Sequence, residues 1–397
     1  MSVAETMATP HSHGAGATPS VYSRADRPTS FNINDIPVPQ GREEDWRFTP
    51  INRIERLFTV DHYREDTTTV TVAGPQDVTY EVVDPSDERL EPILAPGDRT
   101  AVVSWNATQQ IHLIDIPARA TLDAPVMVSI HSNDDDVHAQ RLYVRCGEAS
   151  EAVVIVNHDG HAALNQTIEV DAADEAKLTF VSIHEWDDTS VHASNHRVRA
   201  GENTELRHIV VTLGGDLVRV CTDTEFAAPR GSIEMLGLYF VDAGQHLEHR
   251  PYIAHTQPNC YSRVTYKGAL QGEGAHAVWV GDCLIGKNAD GTDTYELNRN
   301  LVLTENAKAD SVPNLEIENG EIEGAGHASA TGRFDDEQLF YLMSRGVSEM
   351  DARRLVVRGF FAELIQEIGI PEVVDHLMDT IEAELESGGT LSAPTDH

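Results

Sequence analysis

From about residue 106 to 325 the chain repeats one pattern. Apolar and polar residues alternate over short runs, and turn residues separate the runs. HLIDI, VMVSI, RLYVR, AVVIV, LTFVSI, LRHIVVTL, IEMLGLYFV and SRVTYKGAL are such runs, with Gly, Asp, Asn and Ser between them. Period-two alternation at this length predicts strands, and no helical pattern in the region is long enough to cross over between strands of an open parallel sheet. The centre is therefore predicted to be all-β. A loose echo narrows the architecture: ADEAKLTFVSI, GENTELRHIVV and PRGSIEMLGLYFV each run turn, polar link, apolar segment, with Leu178, Leu206 and Met235 about 28 residues apart. The phrase returns at wider spacing as GEGAHAVWVGD and ENAKADSVPNLEIE. Variable spacing suits the coils of a parallel β-helix better than the fixed blades of a propeller.

The flanks differ. Residues 1–28 are rich in Ser, Thr, Ala, Gly and Pro without apolar periodicity, which predicts a disordered tail. Residues 29–105 predict a mixed α+β segment. Ile51, Ile54, Leu57 and Phe58 follow helical spacing, and from about 60 to 105 TTTVTVA and VTYEVV alternate as strands between turns. Residues 326–397 predict a helical domain. Gly346 stops one helix, a Ser348 to Asp351 capping box opens a second carrying Leu355, Phe360, Leu364 and Ile368, and Pro371 starts a third with Val374, Leu377, Ile381 and Leu385 on one face.

Charge removes several functions. The chain of 397 residues has 65 acidic and 29 Lys or Arg residues, a net charge of −36, which repels nucleic acid phosphates and anionic lipid. No run is apolar enough to span a membrane, and the N-terminus has neither a basic n-region nor an apolar h-region, so a cytoplasmic protein is expected. Cys146, Cys221, Cys260 and Cys283 form no C-x-x-C pair and read as small buried hydrophobes. P-loop, G-x-G-x-x-G and G-x-S-x-G patterns are absent. Close acid pairs such as Asp290 with Asp293, or Glu316 with Glu318, are expected by chance among so many acids. Histidines cluster as His184, His192 and His196 near Glu185, and as His246, His249 and His255 near Glu248. Imidazoles with a carboxylate can hold a transition metal, which leaves a homodimeric β-helix metalloenzyme as an alternative function.

One block is far more specific. GHASATGRFDDEQLFYLMSRGVSEMDARRLVVRGFFAELI, from Gly326 to Ile365, resembles the C-terminal signature of the SufB/SufD family of iron–sulfur cluster assembly proteins, on its SufD side. REEDWRFTP, SRVTYKGAL and YELNRNLVLTENAKADSVPNLEIE support the resemblance, which covers most of residues 41 to 370. It implies a right-handed parallel β-helix between helical ends. It also implies a non-catalytic subunit that pairs with a SufB-like paralogue through the β-helix ends and holds a SufC-like ABC ATPase on its C-terminal helices. A transient iron–sulfur cluster is built at the SufB interface, and a reduced flavin is associated with the complex. A family member alone can self-associate as a homodimer. The family's site histidine falls on His327, expected in a Gly-rich turn before the first C-terminal helix. The cysteine that many members carry two residues earlier is missing from Gly324-Ala325-Gly326. Arg345, Gly346, Leu355, Phe360, Phe361 and Leu364 match the region that contacts the ATPase.

Overall fold

The computed structural model describes residues 24–333 and 336–388. Its body is a parallel β-solenoid of about eight turns with helices at both ends of the chain. The N-terminal part contributes α1 (Ile51–Ile54), β1 (Thr69–Ala73), β2 (Thr79–Val83) and α2 (Arg99–Ala107). β3 (Ile111–Ile116), β4 (Val126–Cys146) and β5 (Glu151–Ala172) then begin the coils. Both long strands turn a corner. The first half of β5 pairs with β6 (Lys177–Trp186) and its second half with β7 (Val191–Ala200), so the chain alternates between two faces from here on.

On one face β8 (Glu205–Thr212), β10 (Ser232–Val241), β12 (Tyr261–Leu270), β14 (Asp293–Val302) and β16 (Gly324–Arg333) stack in parallel beyond β6. On the other, β9 (Leu217–Phe226), β11 (His246–His255), β13 (His276–Ile285) and β15 (Lys308–Ile317) continue from β7. Side chains alternate inward and outward along each strand. In-register stacking therefore turns each inward position into a column. Leu178, Leu206 and Ile233 form one such column and are sealed from solvent. The echo pointed to Met235 as the third member; Met235 instead stacks on His208, two positions along the strand and on the same face.

β6, β8 and β10 are buried on both faces, which explains their largely hydrophobic runs. Their outward Val181, Ile183, Ile209, Val211, Leu236, Leu238 and Phe240 form a second core with α4 (Glu349–Ile368) and α5 (Pro371–Gly388). Val357, Phe361, Leu364 and Ile368 from α4, and Leu377 and Ile381 from α5, complete it. Full burial of each such side chain stabilises by roughly 1.5–3 kcal/mol. The Ser348 hydroxyl accepts from the Asp351 N–H at the start of α4, and Gly369 ends the helix with a φ of 65°. α3 (Asp336–Ser344) precedes them.

Three boundaries move. Arg24 lies inside the expected tail, yet it is buried and paired with Asp223 at 3.1 Å and Asp282 at 3.2 Å. Residues 1–23 of that tail lie outside the described residues. Where strand and turn were expected up to about residue 105, α2 is a buried helix capped by the Asp98 carboxylate, which accepts from the Ala101 N–H. Its Val102, Val103 and Trp105 favour strands by propensity, and the cap together with burial against β5 overrides them. Finally, β16 carries the solenoid to Arg333, past the expected boundary at 326.

Candidate functional site: the open end of the solenoid

β15 and β16 end the two faces of the sheet, and neither has a further strand partner among the described residues. An unpaired edge presents free N–H and C=O groups. β15 carries Pro313 and charged residues, devices that discourage strand addition, whereas GAGHASAT in β16 offers only small residues and one histidine. The edge at β16 is thus open to close approach. Ser329 on β16 donates to Ser311 on β15 at 2.7 Å, and Ser311 donates to Asn298 on β14 at 2.7 Å. The Asn298 amide donates to the Tyr239 hydroxyl at 3.0 Å. This chain of bonds pins the terminal coil to the one beneath it.

His327 therefore lies in a strand and not in the expected turn. Its column runs inward: Val154, Phe180, His208, Met235, Val264, Glu296, His327. The first six are sealed, and only His327, on the last coil, is exposed. Directly beneath it Glu296 is 1% exposed, and neither of its carboxylate oxygens has a hydrogen-bond partner among the described residues. Burial, and then the charge of Asp282, push this carboxyl well above the usual range. Other buried carboxylates differ: Glu169 pairs with Arg141 at 2.6 Å and Asp98 with Arg219 at 2.7 Å. Sequence reasoning missed Glu296, because one acid among 65 carries no local signal.

The thiols behave as buried hydrophobes. Burial pushes Cys146 up to about 11 and Cys221 and Cys283 up to about 12, and it raises Cys260. Such groups stay protonated near neutrality and are poor ligands.

Of the first histidine group, His184 and His192 come together inside the lumen, joined by His158, which the sequence grouping did not include. His158, His184 and His192 each place a nitrogen within 4.8 Å of the others. The His158 and His184 rings stack at 4.7 Å and 3°, so their in-plane lone pairs run in parallel planes. His158 meets the Ile183 carbonyl at 2.9 Å and Gln166 at 3.0 Å, and the Trp186 N–H donates to His192 Nδ1 at 2.9 Å. His196 joins a different contact, with His208 at 2.9 Å. The second group does not come together. His246 meets Glu248 at 3.2 Å, His249 meets Thr212 at 2.9 Å and His255 meets Ser262 at 2.8 Å. Glu248 is itself held by Arg219 and Arg250, and Glu185 accepts from His376 on α5 at 2.8 Å. Both groups are thus engaged in holding coils together.

The expected partner-binding residues separate by burial. Arg345, Gly346 and Leu355 are exposed and Phe360 is half-buried, but Phe361 and Leu364 are 0% exposed and belong to the second core. A sealed side chain offers a partner no area. The exposed apolar residues nearby are Phe340 at 74%, Tyr341, Met343 and Leu355 at 54%. The exposure of Phe340 and Met343 is information from the fold alone.

Residues 129–360 match the family model described as SUF system FeS cluster assembly, SufBD core domain. The chain is 46% identical over 372 residues to an iron–sulfur cluster assembly SufBD family protein of Mycobacterium tuberculosis, spanning 92% of this chain and 94% of that protein. It is equally similar, at 46% over 373 residues, to the corresponding family protein of Mycobacterium leprae, spanning 91% and 95%. The iron–sulfur cluster assembly protein SufD of Escherichia coli is 26% identical over 257 residues, 64% of this chain and 60% of that one. With its core domain matched and its mycobacterial relatives aligned along nearly their whole length, this chain belongs to the SufBD family of iron–sulfur cluster assembly proteins.

Proposed function

We propose that this chain is the SufD-type, non-catalytic subunit of a cytoplasmic SufBCD-like complex. It pairs end to end with a SufB-like paralogue at β15 and β16. It holds a SufC-like ABC ATPase on the exposed face formed by α3 and the start of α4. His327 then stands at the joint where the nascent cluster, the cargo, is assembled. The observation that carries this reading is the exposure of His327 on β16, an edge strand with no further strand partner among the described residues. A neutral imidazole there completes a ligand set supplied by the partner, and it releases iron more readily than a thiolate does. The chain's own thiols are buried and protonated, so sulfur ligands come from the paralogue. A reduced flavin bound by the complex supplies electrons.

The test is reconstitution with the paralogue and the ATPase. Co-purification of all three is expected, and His327→Ala should leave assembly intact while cluster yield, read by visible absorption, falls sharply. Wild-type yield from that variant would remove His327 from the site.

A further inference from the structure

We propose that Glu296 is a second iron ligand at the open end of the solenoid, acting with His327 on one ferrous ion. This rests on the reading of His327 as a ligand of the assembly site. Glu296 is the one carboxylate in its column. The positions beneath it are filled by Val264 and Met235, and a side chain of that kind would fill the same space without a desolvated polar group. A buried polar group without a partner in a natural protein calls for an explanation outside packing.

Its surroundings supply one. Glu296 and His327 are in register on β14 and β16, so their side chains leave the sheet on the same side from strands about 4.8 Å apart. An imidazole and a carboxylate at that separation can share one ion, and this pair of donors suits ferrous iron. The imidazole is exposed to solvent, and the carboxyl is sealed one coil inward of it. Loading is balanced: the Glu296 carboxyl gives its proton to water, and the carboxylate takes up the ion without any change of oxidation state. Two protein donors leave the remaining positions for sulfide and the partner's ligands.

The probe is cobalt(II), added anaerobically to the purified full chain at high salt and followed by calorimetry and visible absorption. One ion should bind. Glu296→Gln and His327→Ala should each weaken binding at least tenfold, and the double variant should bind no more weakly than the worse single one. Glu318→Gln, an exposed residue just past the end of β15, should bind as wild type does. Glu296→Leu should abolish binding and melt at or above the wild-type temperature, because it removes a desolvated group. A fall of several degrees would make Glu296 a structural residue and overturn the inference. So would wild-type cobalt affinity in Glu296→Gln while His327→Ala is weakened, an outcome that leaves the role of His327 standing. If His327→Ala also binds cobalt normally and gives full cluster yield in the reconstituted complex, the reading beneath the inference falls with it.

Discussion

Lys267 on β12 donates to the carboxylate of Glu363 on α4 across 2.8 Å, and its ammonium lies 5.8 Å from the centre of the Phe360 ring. Glu363 is largely exposed, so solvent screens the pair and its net contribution is at most about 1 kcal/mol. The apolar residues around it outweigh that many times over. The ion pair therefore orients α4 on the solenoid, and the second core holds it there.

Removing the chain beyond Gly332 should accordingly leave a damaged body. Val181, Ile209, Leu236 and Phe240 would be bared together, a patch of the kind that drives aggregation. The truncated protein is expected to aggregate or to bind a hydrophobic dye strongly. In the full chain, Phe361→Ala should cost about 3–5 kcal/mol in urea unfolding. A soluble, monodisperse truncation with the wild-type melting temperature would show that the helices are a separate module.

Acid should weaken the fold early. Burial lowers His158 to about 4, lowers His208, His249 and His255 to about 3, and lowers His184, His192 and His196 well below the usual value. These rings stay neutral in the folded chain, whereas the unfolded chain protonates them below about pH 6.5. Their contribution is thus complete above about pH 6.5 and is lost as pH falls toward 4. Each group costs about 1.4 kcal/mol per pH unit in that window. The urea midpoint should drop steeply between pH 7 and pH 5. A flat midpoint would mean that the lumen admits charge.

The four cysteines should be inert in the native state. Their thiols are buried and pushed upward, so alkylation at pH 8 should be at least a hundredfold slower than in the urea-unfolded chain. Mass spectrometry of partly alkylated protein would show any thiol that escapes this rule.

Docking of the ATPase should depend on exposed residues. Phe340→Asp and Leu355→Asp are expected to weaken co-purification at least tenfold at an unchanged melting temperature, since neither side chain has much packing to lose. Phe361→Ala should lower co-purification only to the degree that it lowers stability. Loss of binding in Phe361→Ala at full stability would move the docking face into the second core.

A stability contrast within the solenoid tests the lumen argument. His327→Ala, on the exposed coil, should change stability by no more than about 0.5 kcal/mol. His255→Ala should cost more, about 1–3 kcal/mol, because it leaves Ser262 short of a buried partner. Equal costs would mean that the terminal coil is as tightly packed as the interior.

How far the sequence reaches can be followed residue by residue. Leu178 and Leu206 were visible as a repeat because a β-helix stacks equivalent positions, and a stacked column must repeat its chemistry. The capping box at Ser348 and the stop at Gly346 were visible because caps are local hydrogen-bonding events. His327 was legible only through its resemblance to a family signature. Its place in a strand escaped notice because Gly and Ala around it carry no alternation.

The sequence by itself thus determined the period, the strand-forming runs and the helix ends, all of which depend on residues near one another along the chain. The tertiary structure alone decided which apolar residues are sealed. Phe361 and Phe340 look alike in the sequence, and only the docking of α4 on β6, β8 and β10 buries one while leaving the other in solvent. It alone decided what Glu296 faces, since that depends on the register of coils some thirty residues apart. Burial and charge pairing are properties of the packed body, and no window along the chain contains them.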